Sequence, residues 1–465
     1  MKLKLWIVLT AFTQSLQRSD GFLIADYCIA PPPCTCSESG TATVTVECAS
    51  KGLTTTPDMK HLDTHIDTFN ILLSDNQLKT VPENAFKNLS NINASSINID
   101  LSGNGMQSLN SKAFIGIENV ITSLNLKTNN LSSIPEAVGK LRALKSLDIT
   151  DNPLRSLGFS VMSNVGHSLQ ILKVDLELFS TWPDEIGLLH SLTNLYIQTI
   201  PFTSLRFGIF HSFEHTLKFL YIEKATNLEN IPFAVCQLTE IQSLTMNWFT
   251  KISKNDSSLF ELCKENRHSL TNLSLGYSLL SIFPDVFHLY PMLSELSLST
   301  NRLEIIKSEV IPNNTSLLRM TLDGNSFKRI PAALNKLNNL HYLNINSNDI
   351  IAVEDNDLIG LSNLEILDLS VNPIRYISDK AFESTTKLNT LYLQKTKLQL
   401  IPLAVTTLPW LSNLDIRSTK PILCTCDLSY LKYWNASSVQ SFHGQCAYST
   451  LSFQKFITTF LQNCP

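Results

Sequence analysis

Residues 121–154 read ITSLNLKTNNLSSIPEAVGKLRALKSLDITDNPL, and the spacing LxxLxLxxNxL occurs twice in this stretch. The two copies cover residues 121–131 and 144–154, with isoleucine at one leucine position in each. Further copies lie at residues 293–303, 317–327, 340–350 and 364–374. The alternation in LxL predicts a short strand whose leucines point inward and whose polar residues point outward. One unit cannot bury its own leucines, so the spacing predicts a stack of many units.

Aligning the copies on the asparagine position extends the array over most of the chain. The fifteen positions, 23 to 29 residues apart, are Asn76, Asn104, Asn129, Asn152, Glu177, Ile200, Ala225, Phe249, Ser278, Asn301, Asn325, Asn348, Asn372, Thr396 and Thr419. An asparagine side chain at this position can form hydrogen bonds with backbone groups in the turns of adjacent repeats. These backbone groups would otherwise be buried without a partner. The returning segments often begin at proline and continue as short helical patterns. The sequence therefore predicts an α/β solenoid, curved into a horseshoe with a concave parallel sheet and about 15 repeats.

Composition agrees with a leucine-based array and argues against one class of partner. Leucine occupies 73 of the 465 positions, and charged residues make up 16% of the chain, against roughly 25% in ordinary globular domains. The formal net charge is -4, and the 36 lysines and arginines are scattered along the sequence. Nucleic-acid binding needs a concentrated basic face, so a nucleic-acid partner is not expected.

The first residues predict export. Lys2 and Lys4 precede the apolar run 5–12, which is too short to span a bilayer. We expect a signal peptide within residues 1–19, with cleavage after Ser15 or nearer Ser19. Eight Asn-x-Ser/Thr triplets agree with a secreted glycoprotein, and the adjacent Asn313 and Asn314 are not both expected to be occupied. The triplets begin at Asn88, Asn93, Asn130, Asn255, Asn272, Asn313, Asn314 and Asn435.

Cysteines cluster at both ends of the array, where stacked units would expose their leucines. Four precede the array, Cys28, Cys34, Cys36 and Cys48, and four follow it, Cys424, Cys426, Cys446 and Cys464. An oxidising compartment favours disulfides over a zinc site, and three connectivities remain open for each set of four.

The repeat together with these clusters resembles the disulfide-capped extracellular leucine-rich-repeat proteins, such as Slit, the Toll-receptor ectodomains and the small matrix proteoglycans. The C-terminal run CTCDLSYLKYW is especially similar to the flanking cap of that family. The resemblance implies the pairs Cys28–Cys36, Cys34–Cys48, Cys424–Cys446 and Cys426–Cys464. We expect a cap over residues 20–62, the repeats over 63–421 and a second cap over 422–465. No membrane-spanning stretch or lipid anchor is expected.

Two further cysteines, Cys236 and Cys263, lie eight residues before Leu244 and ten before Leu273. Equivalent positions in adjacent repeats are near each other, and two buried free thiols are unusual in a secreted protein. We therefore predict a disulfide between them, although the two-residue offset leaves open that they are too far apart.

The sequence HSFEH, from His211 to His215, matches the HxxEH pattern of one class of zinc peptidases. Its position just before the strand at Leu217 favours a connector between repeats, with Phe210 and Phe213 in the core. His61 and His65 are likewise expected in a solvated turn. No catalytic residue, metal or cofactor is predicted.

The concave face offers better candidates for binding. Tyr196, Phe219, Tyr221, Trp248 and Tyr277 flank the inward leucines in four successive repeats, and the same stretch lacks the asparagines. Clustered exposed aromatic residues can anchor a protein interface. The alternative is that these repeats have diverged and pack differently, and a glycan on Asn272 would favour that alternative.

The predicted function is recognition of an extracellular protein ligand or receptor on the concave face, without catalysis and with the oligomeric state open. The second hypothesis is a non-catalytic recognition subunit of a secreted enzyme complex, on a weaker resemblance to the leucine-rich-repeat subunit of shrimp luciferase. The third hypothesis is that the protein is a hydrolase.

Overall fold

The computed structural model describes residues 28–39, 42–60, 66–90, 93–251 and 269–464. The predicted signal peptide lies outside the described residues. Within them, 18 strands form a single sheet. These strands are β1 Thr35–Ser39, β2 Thr43–Glu47, β3 Ile66–Leu72, β4 Ala94–Asp100, β5 Ile121–Asn125, β6 Ser146–Asp148, β7 Ile171–Val174, β8 Asn194–Thr199, β9 Phe219–Lys224, β10 Ser243–Met246, β11 Asn272–Ser274, β12 Glu295–Ser297, β13 Arg319–Thr321, β14 Tyr342–Asn344, β16 Ile366–Asp368, β18 Thr390–Tyr392, β19 Asn413–Asp415 and β20 Ser441–His443.

The order of the strands in the sheet follows the chain. β1 and β2 form an antiparallel pair at the N-terminal end. From β2 onward each strand pairs in parallel with the strand of the next repeat. The inward leucines of adjacent strands are in register, for example Leu195 with Leu220 and Leu220 with Leu244. Two shorter strands, β15 Ala352–Val353 and β17 Tyr376–Ile377, form a separate parallel pair. The predicted solenoid with a parallel sheet is confirmed.

Short helical turns return the chain on the opposite side. They stay short because each repeat leaves few residues between one strand and the next. The α-helices are α1 Phe159–Val165, α2 Phe233–Cys236 and α3 Phe453–Lys455, and Phe456–Phe460 is a π-helix. The 3₁₀ turns are Lys87–Leu89, Val138–Lys140, Asp184–Leu188, His211–Phe213, Ser308–Val310, Ala332–Lys336, Leu403–Thr407, Cys426–Leu431, Ala436–Ser438 and Leu461–Asn463.

One hydrophobic core runs the whole described length, from Ile29 to Cys464. The leucines of the LxL pattern are buried, as Leu195 and Leu343 illustrate with no exposed surface. Phe210 and Phe213 are also buried, as expected for the connector that contains HSFEH. None of the described helices is long and apolar enough to cross a membrane.

The asparagines form a ladder along the turns that follow the strands. Asn325 is typical: its Nδ2 donates to the carbonyl oxygens of Leu298 and Leu322 at 3.0 and 2.9 Å, and its Oδ1 accepts from the Leu303 N–H at 3.0 Å. The ladder therefore joins adjacent repeats as the sequence predicts. Where asparagine is replaced, Ser278 substitutes in part, because its hydroxyl accepts from the Phe249 N–H and donates to the Gly276 carbonyl.

Disulfides close the two ends of the core. Cys28 is bonded to Cys36, Cys34 to Cys48, Cys424 to Cys446 and Cys426 to Cys464, which are the pairs that the resemblance implies. At the C-terminal end a hydrogen bond adds to them, because the Tyr430 hydroxyl donates to the Ile401 carbonyl at 2.6 Å. Cys236 is disulfide-bonded, and Cys263, its predicted partner, lies outside the described residues.

Candidate binding surface

Three of the five predicted aromatic residues lie side by side on the inner strands. Tyr196 of β8 stands opposite Tyr221 of β9, and their ring centroids are 5.8 Å apart. Phe219 lies two residues before Tyr221 on the same face, with 38% of its surface exposed. The Lys173 ammonium lies 5.6 Å from the Tyr196 ring, so the cluster begins with a cation above an aromatic face. Burial raises the pKa of the Tyr221 hydroxyl, and the nearby Glu223 carboxylate adds to the rise.

Trp248 and Tyr277 lie elsewhere, so the expectation that all five residues flank leucines within the strands is wrong for these two. β10 ends at Met246 and β11 at Ser274, and both aromatic residues sit in the following turns. Each has a left-handed backbone, with φ of 60° and 55°. The turn requires this conformation in several repeats, since Thr128 and Asp151 adopt it at the equivalent position.

The turn brings Trp248 and Tyr277 against each other at the rim of the sheet. Their rings are stacked with centroids 4.8 Å apart and an interplanar angle of 6°. They keep 41% and 44% of their surface exposed. The aromatic residues therefore form two groups, a strand group of Tyr196, Phe219 and Tyr221 and a rim pair of Trp248 and Tyr277. Both expose apolar area together with polar tips.

Beside these groups lies a polar depression that the sequence analysis did not identify. The outward residues of four successive strands, β10 to β13, carry small hydroxyl side chains: Thr245, Ser274, Ser297 and Thr321 stand in register. They line a cavity of about 210 Å³ together with Asn272, Glu295 and Arg319. The sequence contained a signal for this depression. The residue between the two leucines of each LxL faces outward, and in these four repeats that residue is serine or threonine.

The predicted glycosylation positions are distributed over the surface. Asn93, Asn130, Asn313 and Asn435 are exposed, Asn88 and Asn272 are half-buried, and Asn255 lies outside the described residues. Asn272 differs from the others because it lines the polar depression, where its Nδ2 donates to Glu295 Oε2 at 2.8 Å. A glycan on Asn272 would therefore start inside the concave face.

The HSFEH segment forms a short 3₁₀ turn rather than a helix. His211 Nδ1 and His215 Nε2 both contact Glu214 Oε1, at 3.2 and 3.3 Å, so the carboxylate holds the two imidazoles. Both histidine side chains are largely exposed to solvent. The described part of the chain contains no group of three metal-ligating side chains arranged to hold an ion. His61 and His65 lie outside the described residues.

Comparisons with known proteins agree with the repeat. Residues 97–154 and 339–398 match the family "Leucine rich repeat", and residues 210–334 match the "BspA type Leucine rich repeat region", so the matches together cover just over half of the chain. "Leucine-rich repeat-containing protein 3" of Danio rerio is 35% identical over 25% of this chain, and "Asporin" of Bos taurus is 28% identical over 26%. These matches span only 41% and 35% of the two relatives.

Solved structures show the same architecture. A leucine-rich-repeat protein of Leptospira interrogans aligns with 80% of this chain and 89% of its own, with a TM-score of 0.56 and 22% identity. A chain of the TLR13–ssRNA13 complex aligns with 84% of this chain and 68% of its own, with a TM-score of 0.50 and 20% identity. At these identities the likeness concerns the fold. With its matching repeats, asparagine ladder and disulfide-bonded ends, the chain belongs to the leucine-rich-repeat proteins.

Proposed function

We propose that this protein is an extracellular, non-catalytic recognition module that binds another protein on the concave face of its repeat array. The observation that carries the proposal is the strand group of Tyr196, Phe219 and Tyr221, which presents aromatic surface on two adjacent inner strands. The exposed part of these side chains adds nothing to the stability of a monomer, whereas tyrosine and tryptophan are the residues that most often dominate a protein interface.

The charges of the inner face favour a protein over a nucleic acid as the partner. Lys173 on β7 lies 3.4 Å from Asp148 on β6, and Arg319 on β13 lies 4.0 Å from Glu295 on β12. Both bases are thus balanced by an acid on the preceding strand, which reduces the positive potential that attracts phosphates. These strands therefore present no concentrated basic surface for an RNA such as the one in the TLR13–ssRNA13 complex.

The closed ends support an extracellular location. Four disulfides cross-link the N- and C-terminal segments that flank the repeats in the described chain. Such bonds persist in oxidising compartments and are rare in the cytosol. Secretion and glycosylation follow from this proposal together with the predicted signal peptide.

The test is capture of a partner from extracellular fluid with the purified chain as bait. Tyr221→Ala and Trp248→Ala should each weaken capture at least tenfold, because loss of an interface anchor commonly costs about 2 kcal/mol or more. Tyr392→Ala is the matched control, since Tyr392 holds the same outward position as Tyr221 in a distant repeat. Its capture should stay near that of the wild type.

Normal capture by both aromatic variants, with unchanged melting temperatures, would place the partner on another surface. A lowered melting temperature in either variant would instead identify that side chain as a packing residue.

A further inference from the structure

A second surface lies on the side of the array, just past the asparagine ladder. In the first six repeats the fourth residue after the ladder position is small, polar and exposed: Thr80, Ser108, Ser133, Ser156, Thr181 and Ser204. In the C-terminal half the same place carries large side chains, which are Ile282, Ile305, Arg329, Tyr376, Leu400 and Leu423. In the repeat of Asn348 that place holds the small Ala352, and the large side chain is the adjacent Ile351. We call Ile351 and these six large residues the lateral stripe.

The apolar members of the lateral stripe are well exposed. Ile282, Ile305, Ile351, Tyr376, Leu400 and Leu423 keep between 44% and 66% of their surface in solvent. Successive repeats lie side by side here, because Ala352 on β15 pairs in register with Tyr376 on β17. Six side chains at about half exposure leave on the order of 600 Å² of mostly apolar surface, which is the upper end of the largest patch on a typical monomer. A patch of this size is typical of an interaction surface.

Two grooves of mixed charge border the lateral stripe. Arg375 and Asp379 line a groove of about 520 Å³. Lys328 and Glu304 line another, of about 620 Å³. Ile351 belongs to the repeat between those of Lys328 and Arg375. Each groove thus offers both a base and an acid, which suits a partner surface that also carries both signs.

The lateral stripe has nearly the same order in both directions. Arg329 and Tyr376 lie one repeat to either side of Ile351, and the remaining members are apolar. Asp357 lies 3.5 Å from Arg329, whose side chain stays 66% exposed. A two-fold rotation about Ile351 sets the guanidinium of Arg329 against the Tyr376 ring of a second copy, which favours a cation–π contact. The same rotation sets each groove over the other groove of the second copy, so that bases can meet acids.

We propose that the lateral stripe is the interface between two copies of this chain, packed antiparallel about Ile351. Together with its charged borders, the stripe approaches the roughly 800 Å² per partner of a standard interface. Glycans would leave it clear: in these seven repeats no Asn-x-Ser/Thr triplet begins among the five residues after the ladder position, whereas Asn130 begins one there in the third repeat. The proposed dimer keeps both concave faces open, so it would present two recognition surfaces at once.

The experiment is sedimentation velocity of the full-length secreted chain, from nanomolar to high micromolar concentration. A reversible monomer–dimer equilibrium is expected. A chain that stays monomeric throughout this range would overturn the proposal and would leave the apolar surface to a different protein.

Variants test the antiparallel arrangement, in which Ile305 of one copy lies opposite Leu400 of the other. Ile305→Lys and Leu400→Asp each place a charge against an apolar side chain and should weaken dimerisation at least tenfold. When both changes are made in one chain, the new lysine of each copy meets the new aspartate of the other, and most of the affinity should return. Ser133→Asp is the matched control, since Ser133 holds the same place in the third repeat, and it should dimerise like the wild type.

Ile351→Asp tests the two-fold axis, because it brings two carboxylates together, and it should abolish the dimer. All three stripe positions are exposed, so the melting temperatures of the dilute monomers should match that of the wild type. A dimer that tolerates Ile351→Asp would have its interface elsewhere, which contradicts the proposal. A double variant no tighter than the single ones would rule out the antiparallel arrangement.

Discussion

At the scale of single residues, the asparagine ladder explains how a chain with so many turns buries its backbone. Asn76 shows the full pattern: its Nδ2 contacts the carbonyls of Cys48, Leu73 and Ser74, and its Oδ1 accepts from the N–H groups of Lys51 and Leu53. One side chain thus serves five backbone groups. A buried backbone group without a partner costs about 1–3 kcal/mol, so a ladder position tolerates few alternatives.

We predict that Asn325→Ala destabilises the protein by at least about 2 kcal/mol, because several buried groups lose their partner at once. Among them are the Leu298 and Leu322 carbonyls and the Leu303 N–H. The measurement is the free energy of unfolding from urea denaturation. Asn356→Ala provides the comparison, since Asn356 is exposed to solvent and should change the free energy by less than ~0.5 kcal/mol. Equal effects of the two changes would contradict a role for the ladder in stability.

The sequence predicts the ladder residues correctly because their function depends on local spacing, which is visible in LxxLxLxxNxL. It misplaces Trp248 and Tyr277 for a physical reason. Both residues adopt a left-handed backbone in the turn, and hydrophobic alternation carries information only about extended strands. Their stacking across two repeats depends on the three-dimensional spacing of the turns. The polar depression was missed because serine and threonine have no distinctive pattern until the strands are in register.

At the scale of elements, the strands are short. They arrange the surface side chains through their register with neighbouring strands rather than through their length. β11 to β14 have three residues each, yet each places two outward side chains beside those of the next strand. The strand group and the polar depression both follow from strand register. In the C-terminal cap, two disulfides cross-link the cap itself, and the hydrogen bond from Tyr430 to the Ile401 carbonyl at 2.6 Å connects the cap to the repeats.

We predict that this cap contact is lost in alkali. Burial, and to a lesser degree the Asp379 carboxylate, raises the pKa of Tyr430 to about 12 in the folded protein, against about 10 in an unfolded chain. The unfolded state therefore releases its proton first, so stability is complete below pH 10 and falls as the pH rises toward 12. At neutral pH, Tyr430→Phe should cost about 1 kcal/mol through the lost hydrogen bond.

The measurement is the melting temperature of the wild type and of Tyr430→Phe between pH 8 and pH 12. The wild type should start higher, and the difference should shrink above pH 10, because only the wild type has an ionising group at this position. Parallel curves over the whole range would show that Tyr430 does not couple the cap to pH.

At the scale of the whole molecule, the core is continuous but the ladder is not. Five successive repeats have Glu177, Ile200, Ala225, Phe249 and Ser278 at the asparagine position, between complete ladder segments on either side. In a repeat array each unit is stabilised by its neighbours, so local stability can vary along the chain. The strand group and the rim pair lie within this stretch, so the proposed binding surface coincides with the repeats that lack asparagine.

We predict that hydrogen exchange is faster in the central turns than in the C-terminal ladder. The amides of Leu303, Phe327 and Ile350 donate to the asparagine of the next repeat at 3.0 to 3.1 Å. Phe202 and Asn227 hold the matching positions, but the next repeats there carry Ala225 and Phe249. Their amides should exchange at least tenfold faster than the three ladder amides, as peptide-resolved mass spectrometry can measure. Ala225→Asn restores the missing side chain at the right spacing and should slow exchange at Phe202 while leaving Ile350 unchanged. Equal protection in the wild type, or no response at Phe202 in the variant, would mean that the continuous core alone sets the local stability of the array.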